Sequence, residues 1–244
     1  MKSLWLIFLV ELKMFLRQKQ AMFFTLFFPV FLLTLFILVW GRVPGYKNFL
    51  LPGIIGMVIL TDAFHSVGLV VGYYRWQGYL KRIRTTPVKT WVYLTGIIIN
   101  RAFIMLFVSF LLLFLGILVF RIPFKGNFLF FALTVVIGSI TFIVIAIPIV
   151  SLSGSEEKGT LLVNFISYPM LFLSSAFYPI EYLPKGLQMA IRINPFVFLL
   201  KILRNIVNKG LGMRENYIPI LVLLSWLVLF FIIMVFRYSR LKED

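Results

Sequence analysis

Between Lys19 and Arg42 the chain carries no charged side chain, and apolar stretches of similar length return along the rest of its 244 residues. A helix needs ~20 mostly apolar residues to cross the ~30 Å hydrocarbon layer of a bilayer. The runs at 21–40, 49–74, 91–120, 128–152, 161–178 and 217–236 therefore predict six membrane-spanning helices in a single all-α domain, 1–244. Composition supports lipid as the solvent. Hydrophobic residues make up 61% of the chain and charged ones 13%, against about a quarter charged in ordinary soluble domains. The net charge of +16 does not point to nucleic acid, whose binders keep their basic residues on a soluble fold. Here the Lys and Arg flank apolar runs, where they meet anionic headgroups. With no cysteine, disulfides, thiol nucleophiles and zinc–thiolate sites are excluded.

Residues 1–18 do not read as a cleaved leader, because Glu11, Lys13 and Arg17 interrupt them. They read as an interfacial helix with Trp5 at headgroup depth. With the N-terminus cytoplasmic, the inner segments hold 13 Lys or Arg and the first two outer loops only four. The bias predicts both termini inside, although the outer segment 179–214 adds six more. Within that segment Leu183–Ile193 and Phe196–Asn208 read as short helices split by Asn194-Pro195. At ~17–20 Å they are too short to cross, so they predict a re-entrant pair or a plain interfacial hairpin.

The stretch YYRWQGYLKRIRTTPVKTW at 73–91 is the sharpest change in character along the chain. Written as a helix, Trp76, Tyr79, Leu80 and Ile83 share one stripe, opposite Arg75, Lys81, Arg82 and Arg84. Thr86-Pro87 then turns the chain out of helix before the next span. Such a segment, 75–90, either docks on a partner or rests on lipid headgroups.

Three stretches carry a resemblance: ELKMFLRQKQAMFFTLFFPVFLLTLF, GYLKRIRTTPVKTWVYLTGIIINR and PMLFLSSAFYPIEYLPKGLQMAIRINPFVFLLKILR. With LPGIIGMVIL at 51–60, and in this order, they resemble the membrane subunit of ABC-2 type transporters. The resemblance implies a multi-pass permease in the cell membrane, working as a homodimer or heterodimer with substrate exported along the dimer interface. ATP and Mg would sit on a separate ATPase subunit and no cofactor on this chain. It also implies that the loop between spans two and three couples to that ATPase, through Arg75, Trp76, Gly78, Tyr79, Leu80, Arg82 and Ile83. The family often shows acid-Arg-acid, one residue, then Gly-Thr. Here Tyr74 to Tyr79 keep Arg75 and Gly78 but neither acid. The third stretch is closer to the drug- and lipid-exporting branch than to the glycan branch.

No enzymatic site emerges. GSEEKGT at 154–160 imitates a phosphate loop, but Thr160 stands where the lysine is needed and no strand precedes it. It reads as an inner turn. His65 has no companions for a metal. Ionisable groups inside spans are costly and draw attention to Asp62 with His65 and to Asn100 with Arg101. Asp62 lies eleven residues before Tyr73, and Arg101 ten after Trp91. On antiparallel helices both would lie ~15–17 Å from the same end, within reach of an ion pair. In the competing arrangement Asp62 lines a substrate path and Arg101 snorkels to the headgroups. Phe177, Tyr178, Pro179, Leu187 and Ile191 are the candidates for an outer gate. An ATP-driven exporter permease is the leading expectation, for an amphipathic substrate or else a glycan or ion. An ion-gradient transporter using Asp62 is the alternative, which paired broken helices in matching repeats would favour. No such repeat is found.

Overall fold

The computed structural model describes residues 2–77, 90–178, 185–191 and 193–240, and among them there is no strand. Helix α1 is Lys2–Arg17 and α2 is Lys19–Trp40. Helix α3 covers 46–76, α4 Thr90–Leu118, α5 Phe128–Val150 and α6 Glu156–Phe172. A short α7, Lys185–Ile191, precedes α8, 195–209, and α9 is Tyr217–Arg240. Five of these, α2 to α5 and α9, are long and apolar enough to cross a membrane. Helix α6 has 17 residues, a rise of roughly 25 Å.

The helix ends follow local chemistry. Gly45, at φ 78°, supplies the left-handed turn that lets α3 begin at Tyr46, three residues before the apolar run. Asn127 accepts from Leu129 N at 2.7 Å and caps α5. The Ser151 and Ser153 hydroxyls bond back to the Pro148 and Val150 carbonyls, closing α5 at its far end. Ser155 caps α6, whose first turn holds Glu156 and Glu157, placed favourably against the helix dipole. That is why α6 starts before the apolar run at 161 and takes up the phosphate-loop imitation as its first turn.

Helix α3 is the axis of the bundle. Every residue from Leu50 to Leu60 is buried, as a helix apolar all round requires. Helices α2, α4, α5 and α8 pack against it. Small residues allow the approach, as at membrane helix contacts generally. A Cβ on Gly53 would lie 2.0 Å from the carbonyl oxygen of Ala176, and one on Gly56 2.4 Å from Leu200. Midway, α3 widens into a π-helical turn at Asp62–Gly68, and α2 does the same at Phe23–Phe27. The two wide turns meet where Thr25 faces Asp62.

Between α6 and α9, helix α8 inserts into the bundle. Helix α8 buries Phe196, Leu199, Leu200 and Leu203 against α3, α5 and α9. It starts at Pro195 behind an Asn194 cap and stops at Gly210, φ 69°. Asn194 does a second job: its amide donates to the Met170 and Leu173 carbonyls at 2.8 and 3.0 Å. Those carbonyls belong to the end of α6, so this side chain closes one helix and opens another. Asn205 donates to Asn216 and Asn208 to the Asn48 carbonyl, pinning the far end of α8.

Gly53→Ala tests the close approach. The new methyl faces backbone and forces α3 away from Ala176, an overpacking cost of about 1–3 kcal/mol. The expected outcome is a lower unfolding temperature in detergent. Gly186→Ala, whose added carbon meets nothing within 4 Å, should leave that temperature unchanged.

Candidate functional site

The buried ionisable residues of the bundle gather where α1 crosses α4. Arg101 Nη1 lies 3.9 Å from Asp62 Oδ1, with both side chains almost fully buried. Thr25 Oγ1 donates to the same Asp62 oxygen at 3.5 Å. The Arg101 guanidinium also sits over the Phe15 ring, 5.3 Å from its centroid. Helix α1 adds Glu11, buried, which accepts from the Tyr93 hydroxyl at 3.2 Å. Asn100 does not join Asp62; its amide donates to the Phe8 carbonyl at 2.9 Å. Four helices, α1 to α4, are thereby held by one polar cluster.

Burial pushes the Glu11 carboxyl up from its usual 4.5, against the lowering pull of the Tyr93 hydroxyl and the Arg101 charge. Arg101 thus has Asp62 beside it and, on α1, an acid for which burial favours the neutral form. Among the described residues no hydrogen-bond partner meets Asp62 Oδ2, Asn100 Oδ1 or Arg101 Nη1.

His65 points elsewhere, although it lies three residues from Asp62. Its Nδ1 is 3.2 Å from the Thr61 carbonyl and its Nε2 3.0 Å from Asn164 Oδ1 on α6. Both ring nitrogens thus face oxygens, one a backbone carbonyl and the other a side-chain amide. The Tyr168 ring stacks obliquely at 5.9 Å. Among the described residues no three His, Cys, Asp or Glu converge as metal ligands.

Of the segment expected to couple, Arg75 and Trp76 stand in the last turn of α3. Gly78, Tyr79, Leu80, Arg82 and Ile83 lie outside the described residues. Trp76 is half-buried, and its indole N–H donates to the Ser153 carbonyl at 3.2 Å. At the opposite end, Phe177 packs on Phe36 at 5.7 Å, and the Tyr178 hydroxyl donates to the Phe172 carbonyl. Leu187 is exposed and Ile191 is buried, so the two candidate gate residues on α7 face different surroundings. Pro179 lies outside the described residues. Arg204 on α8, not among the residues singled out from the sequence, donates to Ser175 and lies 3.9 Å over the Phe49 ring.

Long apolar helices around a buried polar cluster define a multi-pass helical membrane protein. Residues 2–208 match the ABC-2 type transporter family, and the chain belongs to it. It is 29% identical over 150 residues to the probable multidrug ABC transporter permease YbhR of Escherichia coli K12, covering 62% of this chain and 41% of that protein. It is 26% identical over 211 residues to the inner membrane transport permease YadH of the same strain, covering 82% and 79%. The putative transport permease ycf38 of Porphyra purpurea is 28% identical over 192 residues, covering 75% and 62%. The chain thus spans less than half the length of the first of these relatives and about four fifths of the second.

Removing one member of the Asp62–Arg101 pair strands the other charge, at about 3–5 kcal/mol for buried pairs. Asp62→Ala and Arg101→Ala should each lower thermal stability in detergent, and the double variant should recover part of the loss. Strictly additive losses would separate the two residues energetically.

Glu11 gives a pH dependence of defined sign. Its folded state holds the proton more tightly than the unfolded chain. Stability is therefore highest below the ordinary carboxyl value and falls as pH rises through the raised one. Unfolding temperatures measured across that window should flatten in Glu11→Gln.

Proposed function

We propose that this chain is the permease subunit of an ATP-driven exporter that moves amphipathic or hydrophobic, drug- or lipid-like substrates. Two such subunits, identical or related, enclose the path, and a separate ATPase subunit carrying ATP and Mg drives it. The observation that carries the reading is that the most buried helix, α3, runs directly into the basic amphipathic segment 75–90. Displacement of that segment by a partner acts on the axis of the bundle.

In this reading α6 is the fifth of six spans, lengthened by the non-helical residues 173–178, and both termini are cytoplasmic. Helices α7 and α8 form the outer re-entrant pair, with Phe177, Tyr178, Pro179, Leu187 and Ile191 around the outer gate. The second subunit covers apolar faces that this chain leaves open. Helix α6 exposes Leu161, Phe165, Tyr168 and Phe172 along one side, a spacing of three to four residues that makes one continuous stripe. The relative named a probable multidrug permease supports drug-like cargo. Engagement of Asp62 by Arg101 and Thr25 favours the exporter over an ion-gradient mechanism titrating Asp62.

The test is recovery of the ATPase subunit with this chain from its host membrane. Replacing Leu80 and Ile83 by Asp should leave the chain in the membrane. It should cut recovery of the partner by about tenfold or more, because each charge must be desolvated on docking. Undiminished recovery would remove the coupling role from this segment.

A further inference from the structure

Trp76 is the last helical residue of α3, at the start of the basic segment 75–90. Its side chain packs back over Gly72 of its own helix. It crosses to the turn between α5 and α6. The indole N–H is held by the Ser153 carbonyl at 3.2 Å, and that turn is itself locked by the Ser153 hydroxyl on the Val150 carbonyl at 2.6 Å. The six-membered ring rests on glycine. A Cβ built on Gly159, in the first turns of α6, would lie 2.4 Å from Trp76 Cη2 and 2.8 Å from Cζ2. One turn back on α3, a Cβ on Gly72 would lie 2.5 Å from Val150 and 3.0 Å from the same ring. A flat, rigid side chain therefore fills a slot that only glycines leave open, with its polar atom satisfied.

From this geometry we infer that Trp76 is the positioning residue that carries displacement of the 77–90 segment into α6. The inference rests on the exporter reading above and adds the route of coupling. Packed interiors transmit displacement because they have little free volume. A ring with only two rotatable bonds, fixed by a hydrogen bond at its nitrogen and hemmed in by glycine at its outer carbons, moves α6 when the end of α3 moves. Helix α6 bears the open apolar stripe, so the displacement arrives at the wall that a second subunit would share. A parallel link exists higher up, His65 to Asn164 at 3.0 Å. It is untouched by changes at the wedge, which lets the two routes be separated.

The chain has no cysteine, so Phe165→Cys, on the exposed side of α6, gives a single reporter. The complex with its ATPase subunit is purified in detergent, and the rate of labelling by a small maleimide is measured without nucleotide and with ATP trapped by vanadate. Absence of a partner, or of any nucleotide effect in the reporter chain itself, would defeat the exporter reading before the wedge is tested. Given that effect, Gly159→Ala pushes the indole out of its slot and should shrink the nucleotide-dependent change by about 2- to 30-fold, the range typical of coupling residues. Partner recovery should be unchanged. Adding Trp76→Phe, which shortens the ring, should restore a large part of the response. A full response in Gly159→Ala would mean that the upper link suffices and would overturn the inference. A loss that Trp76→Phe does not relieve would also overturn it, because the ring would not be the cause. If Gly159→Ala fails to accumulate, Trp76→Phe alone decides. It leaves empty the slot beside Gly159 that the alanine methyl fills in the double variant, so a reduced response supports the wedge and a full one rejects it.

Discussion

Close approach to one helix is the constraint on which the other elements depend. Along Leu50–Leu60 helix α3 has no face toward lipid, so its neighbours must supply van der Waals partners on every side. In lipid there is no hydrophobic gain from bringing apolar helices together, and packing quality decides association. Gly53 and Gly56 let the 174–176 turn and α8 come within contact distance of the α3 backbone. Without that approach, α8 would have no seat between α3, α5 and α9.

The polar cluster is the second constraint, and it works through cost. An arginine at membrane depth is tolerated when it faces the bundle interior and a partner. Arg101 meets Asp62, the Phe15 ring and, at longer range, Glu11. Helix α1 is consequently more than a lipid-surface helix. It presents Phe8, Glu11 and Phe15 to α4 while Leu6, Leu9 and Val10 face outward.

Much of this architecture was legible because the bilayer sets a length. The apolar runs located α2 to α5 and α9 to within a few residues, and equal distance from a shared end placed Asp62 beside Arg101. What was not legible depends on partners distant in sequence. Helix α6 ends at Phe172, short of the apolar run, because Asn194 takes the carbonyls that another turn would have used. The Glu11–Tyr93 bond needs the crossing angle of α1 on α4, which no periodicity encodes. Trp76 belongs to an amphipathic stripe on paper, yet it turns inward to Gly159. The signal for that was a pair of glycines, Gly72 and Gly159, whose meaning appears only once α3, α5 and α6 are brought together. Ile191 shares a short helix with Leu187, but its surroundings are decided by tertiary packing rather than by spacing.

Asn194 has a consequence for the chain's history. Because its amide joins the end of α6 to the start of α8, the chain between them begins and ends at nearly the same point. For a loop closed at its base, changing the length alters closure entropy only slowly. Exposed positions such as Gly186 and Leu187 can therefore be changed while the helices keep their places, whereas the 174–176 turn, packed on Gly53, cannot. Variation in what such proteins display on that side is structurally cheap, whereas a change at Asn194 would undo two helix ends at once.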